Sequence, residues 1–311
     1  RQQVNQSSLS RANEKRDYRI FQDFGYHLIE QVRPLFAKER TPLIDLEETI
    51  FALDSTSISV SINLAAWASG KYSRGAVKMH TLLDLRGNIP TFIHISDGTW
   101  HDSNVMDYIQ FESNAVYTMD KAYVDLTALN KMDSIGAYFV TRAKSVMRYR
   151  IIETMDTNED DILADQLVML TGHKSSRLYP KPLRIVQYRD AETNEELTFI
   201  SNNMDISALD IANIYRNRWQ IEVFFKWIKQ NMTVKRMWGY SENAVRIHLW
   251  TAIISYLLMA KIKANLQTEY SITEVARILG VSALAKTPIR ELLAKDQPTI
   301  ENQNVKELKL F

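Results

Sequence analysis

Between residues 49 and 142 the apolar side chains recur with the period of strands, and twice that period gives way to a helix-length stretch. Ile50–Phe51–Ala52–Leu53 leads into Asp54, after which Ile58, Val60 and Ile62 alternate with serines and Asn63. Val77–Leu85 and Pro90–Ile95 read as two more strands, joined through the hairpin turn Arg86–Gly87–Asn88. Asp102 or Ser103 is expected to cap a helix running to Phe111. Ala115–Met119 predicts a short strand ending at Asp120, residues 125–136 a helix, and Tyr138–Thr141 a further strand. The order β-β-β-α-β-α-β predicts a mixed α/β sheet with helices laid on it.

The alternation then breaks. Residues 145–200 hold short strand candidates at Arg148–Thr154, Gln166–Leu170, Leu183–Tyr188 and Leu197–Ile200 between polar turns, as a β-rich insertion would. Ser207 is placed to cap one helix through about Asn231, and a second helix is expected over Glu242–Leu266. A short helix, Ile272–Leu279, should stop at Gly280. At the other end, residues 1–20 are polar and read as a mobile arm, and 21–41 show helical spacing in Phe21, Phe24, Leu28, Val32 and Phe36. The last 25 residues are charged and read as mobile. The organisation expected is therefore an arm and helix at 1–44, a catalytic α/β domain split into 45–144 and 206–266 around an insertion at 145–205, and a helical tail at 267–311.

Composition removes several functions. The chain has no cysteine, which excludes disulfides, thiolate catalysis and cysteine-held zinc or iron–sulfur groups. No run of 18 or more apolar residues marks a membrane span, and Leu249–Ala260 reads as a buried helix. A net charge of +1 favours no partner, so any nucleic-acid surface must be a local patch. Arg1 stands where a start methionine would, and an end-recognition module is expected upstream of it.

The helix predicted at 207–231 carries the most chemistry. Tyr215, Arg218, Glu222, Lys226 and Lys229 share one face by their spacing, and Ile214, Ile221, Phe225 and Ile228 form a separate apolar stripe. A carboxylate flanked by cations and a phenol suits a phosphodiester, the carboxylate holding a metal and the cations holding phosphate oxygens. A solvated face of Arg–Glu and Glu–Lys pairs, each contributing roughly 0.2–0.5 kcal/mol, has the same spacing. Asp54 lies inside a strand, where a charge is costly without a partner or metal. Asp120 lies at a strand's carboxyl end, where open sheets build sites. Two aspartates on strands and a glutamate on a later helix can converge. Three hard oxygen ligands suit two magnesium or manganese ions roughly 3.5–4 Å apart.

Tyr215, Arg218, Glu222 and Lys229 fit Y-x2-R-x3-E-x6-K, and this resembles the signature of the DDE transposases of the insertion-sequence-four group. Leu53–Asp54–Ser55–Thr56 is similar to that family's first-aspartate strand. Asp120–Lys121–Ala122–Tyr123 is similar to its second-aspartate motif, with Ala122 where glycine is common. The resemblance implies a ribonuclease-H-like fold with a β-rich insertion between the second aspartate and the glutamate. It also implies metal-dependent cleavage at transposon ends, strand transfer into target DNA, a homodimer on paired ends, and a cytoplasmic place at the bacterial nucleoid. By it Asp54, Asp120 and Glu222 are metal ligands, and Tyr215, Arg218 and Lys229 hold DNA phosphates. Hairpin-forming relatives stack a flipped base on an aromatic of the insertion. No tryptophan lies in 145–200, so Tyr149 and Tyr179 are the expected substitutes, with Tyr188 and Phe199 assigned to the core.

Lys226 joins the phosphate-binding set by spacing alone, and Lys121, Lys235 and Arg236 are further candidate phosphate contacts. Lys78 and His80 share a strand face, read either as exposed or as near the site. Trp219 and Trp227 read as core. Two other functions remain open: a domesticated relative that binds DNA without cutting it, and a metal-dependent phosphohydrolase of small molecules.

Overall fold

The computed structural model describes residues 5–42, 44–59, 75–157, 159–231, 239, 241–282 and 286–294. By their contacts the residues fall into two units, Arg1–Leu258 and Met259–Phe311. The first begins with α1 (Gln6–Lys15) and α2 (Arg19–Val32), the latter running into a tight turn at Arg33–Phe36. Of the polar arm expected at 1–20, residues 6–15 are therefore helical. Asn5 caps α1, and Asn243, far along the chain, fixes its end by accepting from the Tyr18 N–H and donating to the Asn13 and Arg16 carbonyls.

The sheet is built as the strand-period residues require. β1 (Ile50–Ser59) pairs antiparallel with β2 (Ala76–Asp84), which pairs antiparallel with β3 (Ile89–Asp97). The β2–β3 turn holds Gly87 and Asn88 at φ of 72° and 57°. Gly87 has a second reason to be glycine, since a Cβ there would lie 2.2 Å from the Phe36 ring. On its other edge β1 pairs parallel with β4 (Val116–Met119), and β4 pairs parallel with β5 (Tyr138–Arg142) after the crossover helix α3 (Leu126–Ser134). Three antiparallel strands followed by two parallel ones, in the order β3-β2-β1-β4-β5, make the ribonuclease-H-like sheet that the resemblance implied.

The β-rich segment extends this same sheet. β6 (Tyr149–Met155), β7 (Ile162–Leu170), a helical turn α4 (Ser175–Leu178), β8 (Leu183–Arg189) and β9 (Glu196–Ser201) follow. β9 returns to pair antiparallel with β5, giving the order β5-β9-β8-β7-β6. Buried Arg184 anchors the return, donating to Asp165 at 2.9 and 2.6 Å and to the Ile206 carbonyl. Tyr179 packs fully buried against Phe139, so it cannot stack on a base as expected. Tyr149 stays half-exposed.

β1 is covered on both faces, as a central strand with a parallel neighbour must be. Phe51 and Leu53 join Tyr117, Met119, Phe139, Leu129 and Met132 in one core. Ile50 and Ala52 face the other way and are equally buried. Behind them come α5 (Ala208–Asn217) and α6 (Trp219–Asn231), where a single helix was expected. The interruption falls at Arg218, whose N–H bonds back three residues to Tyr215, as the Ile221 N–H does to Arg218. Its local cause is Asn217, whose buried amide donates to the Asn213 and Pro42 carbonyls and ties the end of α5 to the segment before β1. The apolar stripe is buried as read: Ile214, Ile221, Phe225 and Ile228.

α7 (Glu242–Leu266) is long and apolar enough to cross a membrane, but most of that stretch is buried, with Val245, Leu249, Trp250, Ile253 and Leu257 in the core. It lies so close to α2 that a Cβ on Gly25 would meet the Trp250 ring at 2.7 Å. Glycine inside a helix costs about 1 kcal/mol of propensity; here it permits the approach of a large ring. The second unit contains α8 (Ile272–Ser282), which runs through Gly280 rather than stopping there, and α9 (Ile289–Leu292). Residues 295–311, most of the tail read as mobile, lie outside the described residues, as do Val60 and Ile62.

Candidate active site

The parallel register brings the two aspartates together. Leu53 opposite Met119 is the last pair of the β1–β4 ladder, so Asp54, still within β1, and Asp120, just past the end of β4, come next side by side. Each carboxylate accepts the N–H of its following residue, Ser55 at 2.8 Å and Lys121 at 2.7 Å. Asp120 starts a short 3-10 turn, Lys121–Tyr123. Ala122 within it has no positive φ, so a backbone that demands glycine is not the reason glycine is common there.

The broken helix brings the signature face over this pair. Arg218 donates from one nitrogen to Asp54 at 2.9 Å and from the other to Glu222 at 2.8 Å. Its guanidinium lies 5.5 Å from the centre of the Tyr215 ring, and the Tyr215 hydroxyl reaches Asp120 at 3.5 Å, the long limit of a hydrogen bond. Tyr215 is held in place by Phe199 of β9, 4.8 Å away between ring centres. Lys229 is half-buried, while Lys226 and Lys121 are exposed. Lys235 and Arg236 lie outside the described residues. Trp219, read as core, is 60% exposed: four residues after Tyr215 and three before Glu222, it falls on the polar side and not on the apolar stripe; Trp227 is buried.

Burial is the leading electrostatic fact. It pushes the Asp54 carboxyl up to about 6; the Ser55 N–H and Arg218 oppose the rise, and Glu222 and Asp120 add to it. Burial also works against the charge on Arg218, but Asp54, Tyr215 and Glu222 outweigh it and raise its pKa. Among the described residues no three acidic or histidine side chains stand close enough to enclose one ion as they are. The oxygens are hard donors that fit a divalent cation, yet the group standing between Asp54 and Glu222 is the Arg218 guanidinium.

Behind Asp54, on the opposite side of β1, lies a polar network that sequence reading did not assemble. Ser55 donates to Asp102 at 2.8 Å, and Lys78 donates to the same oxygen at 3.2 Å and to the Trp100 carbonyl at 2.9 Å. Asp102 is thus not a helix cap; the 3-10 helix Asp102–Tyr108 is capped by His101. His80 is wholly buried rather than on an exposed face, with one ring nitrogen on Ser96 and the other 3.7 Å from Asp102. The buried Tyr123 hydroxyl faces the same carboxylates, and burial, then Asp54, raises its pKa. The sequence signals for this cluster were the alternation of Lys78 with His80 and the run Trp100–His101–Asp102, which reads either as lying near bound DNA or as a helix cap. In front of Asp120 a cleft of about 770 Å³ opens, lined by Lys121, Arg142, Lys144, Tyr149 and Gln187.

One aspartate inside β1 and one at the end of β4 stand side by side, facing the junction of α5 and α6 that brings tyrosine, arginine and glutamate; this is the arrangement that the DDE resemblance implied. The profile of the family described as Transposase DDE domain matches residues 45–258. The chain is 31% identical, over 82% of its length and 70% of the relative's, to a protein of Sinorhizobium fredii named as transposase y4zB. It is 28% identical, over 82% of its length and 71% of the relative's, to one of Synechocystis named as the transposase for insertion sequence element IS4SA. A solved piggyBac transposase synaptic complex with hairpin DNA covers 83% of this chain and 60% of its own at 11% identity; its TM-score of 0.41 decides nothing about fold or chemistry. The chain belongs to the DDE transposases. It is a DNA transposase of the insertion-sequence-four type, a class whose reaction is metal-dependent DNA cleavage and strand transfer.

Proposed function

We propose that Asp54, Asp120 and Glu222 are the catalytic carboxylates with which this chain cuts DNA at transposon ends and joins the freed ends to target DNA. Two magnesium or manganese ions bound by them would supply Lewis acidity and a deprotonated water or 3′-hydroxyl at neutral pH. Asp54, from within β1, and Asp120, from the end of β4, would hold one side of the site, and Glu222 the other from α6. Tyr215, Arg218 and Lys229 position the scissile phosphate, with Lys226 and Lys121 on the flanking backbone. Paired ends call for two copies of the chain, one per end, acting at the bacterial nucleoid. The observation that carries the reading is the single guanidinium spanning Asp54 and Glu222 beside Asp120, with Tyr215, Arg218 and Glu222 of the signature gathered around the two aspartates.

Glu222→Gln tests it, because the amide keeps the shape and removes the ligand charge. On a plasmid bearing the element's ends, the variant should bind as the parent does and give no nicks in magnesium. Nicking near the parent's rate removes Glu222 from the chemistry. Nicking by neither protein favours a domesticated, non-cleaving relative.

A further inference from the structure

We propose that Arg218 is the resident counter-cation of this site, which the carboxylates must exchange for divalent cation while DNA phosphate takes the arginine. The inference rests on the reading of Asp54 and Glu222 as metal ligands. Arg218 occupies the space between them at 2.9 and 2.8 Å and is only 16% exposed, so water screens these pairs weakly. While it stays, it neutralises both oxygens and keeps them apart by its own width. The arginine is also incompletely satisfied, since its Nε–H is buried with no hydrogen-bond partner. A phosphate offers a guanidinium paired oxygens in the fork geometry it prefers. Tyr215, whose ring already lies 5.5 Å from the guanidinium, gives the departing side chain a face to rest on.

The consequence is coupling. DNA that draws Arg218 away uncovers two carboxylates, and cation that displaces Arg218 frees it for phosphate. Each ligand then raises the affinity for the other by the same factor. A site without DNA is held closed to cation by its own arginine.

The experiment measures binding, not turnover. Manganese binding to the full chain without DNA is followed by calorimetry for the parent, Arg218→Gln, Arg218→Lys and Asp54→Asn, with circular dichroism confirming the fold. Arg218→Gln should bind manganese more tightly than the parent, by about tenfold. Arg218→Lys, whose single ammonium cannot span both carboxylates, should fall between them. Asp54→Asn should lose binding. In parallel, anisotropy of a labelled duplex is read with and without calcium at constant ionic strength. Calcium should tighten duplex binding by the parent and have no effect on duplex binding by Arg218→Gln. Equal or weaker manganese binding by Arg218→Gln, or no calcium effect on the parent, overturns the exchange, while loss of binding in Asp54→Asn keeps the metal reading intact. Unaltered manganese binding by Asp54→Asn overturns that reading, and the exchange with it.

Discussion

His80 lies wholly buried on β2, beside Ser96, His94 and Trp100, and burial lowers its pKa to about 4. Asp102 opposes that shift, while His94 and Lys78 assist it. The ring is therefore neutral in the folded chain at pH values where the unfolded chain, with an ordinary histidine near 6.5, takes up a proton. Between those two values the unfolded state binds more protons, so this group makes stability rise with pH and fall as pH falls. From about pH 7 to about pH 5 the loss should be about 2 kcal/mol. Thermal melts of the parent and His80→Gln should show it, the parent's advantage shrinking across that range. A constant difference would mean that the histidine titrates normally. The sequence marked this residue through its alternation with Lys78, but whether the strand face was exposed depended on Trp100 and Asp102, which arrive from a loop. Asp54, Asp120 and Glu222 were legible for the opposite reason. Their neighbours in the chain, an apolar run before each aspartate and a fixed spacing around the glutamate, record their environment locally.

At the scale of elements, strands and long helices were readable because periodicity is a local property. Two features were not. The break between α5 and α6 depends on Asn217 bonding to Pro42, and α1 depends on Asn243. Both anchors lie far away in sequence, where no window of residues joins them. Asn243→Ala would leave the Tyr18 N–H and the Asn13 and Arg16 carbonyls without that partner. The cost should be about 1–3 kcal/mol, less where water can replace the bonds. Limited proteolysis should then cut first within residues 6–18, with the remainder of the chain protected. Cleavage at the parent's rate would mean that α1 is held by packing alone.

For the whole molecule, cation placement should govern how DNA is held. Lys121 projects at the mouth of the cleft beside Asp120, and Lys226 is exposed on α6. A lysine that pairs with a phosphate releases a condensed counterion, so removing it should reduce the slope of log affinity against log salt by about 0.9. Lys121→Ala and Lys226→Ala should therefore each flatten the slope by that amount, and by about twice as much together. An unchanged slope in the double variant would place the duplex elsewhere. A net charge of +1 gives no hint of such a surface, because a sum over the chain carries no information about where its charges stand.

The order in which the site's parts occur along the chain bears on its synthesis. Asp54 and Asp120 leave the ribosome early, and β4 can pair with β1 before β9 exists to complete the sheet. The third carboxylate follows only after the β-rich segment has been made. When it comes, Arg218 has emerged four residues ahead of it, already able to reach Asp54. On the roles proposed for these residues, a growing chain never presents all three acids without the guanidinium that spans two of them, and the nuclease would be born with its safety catch on.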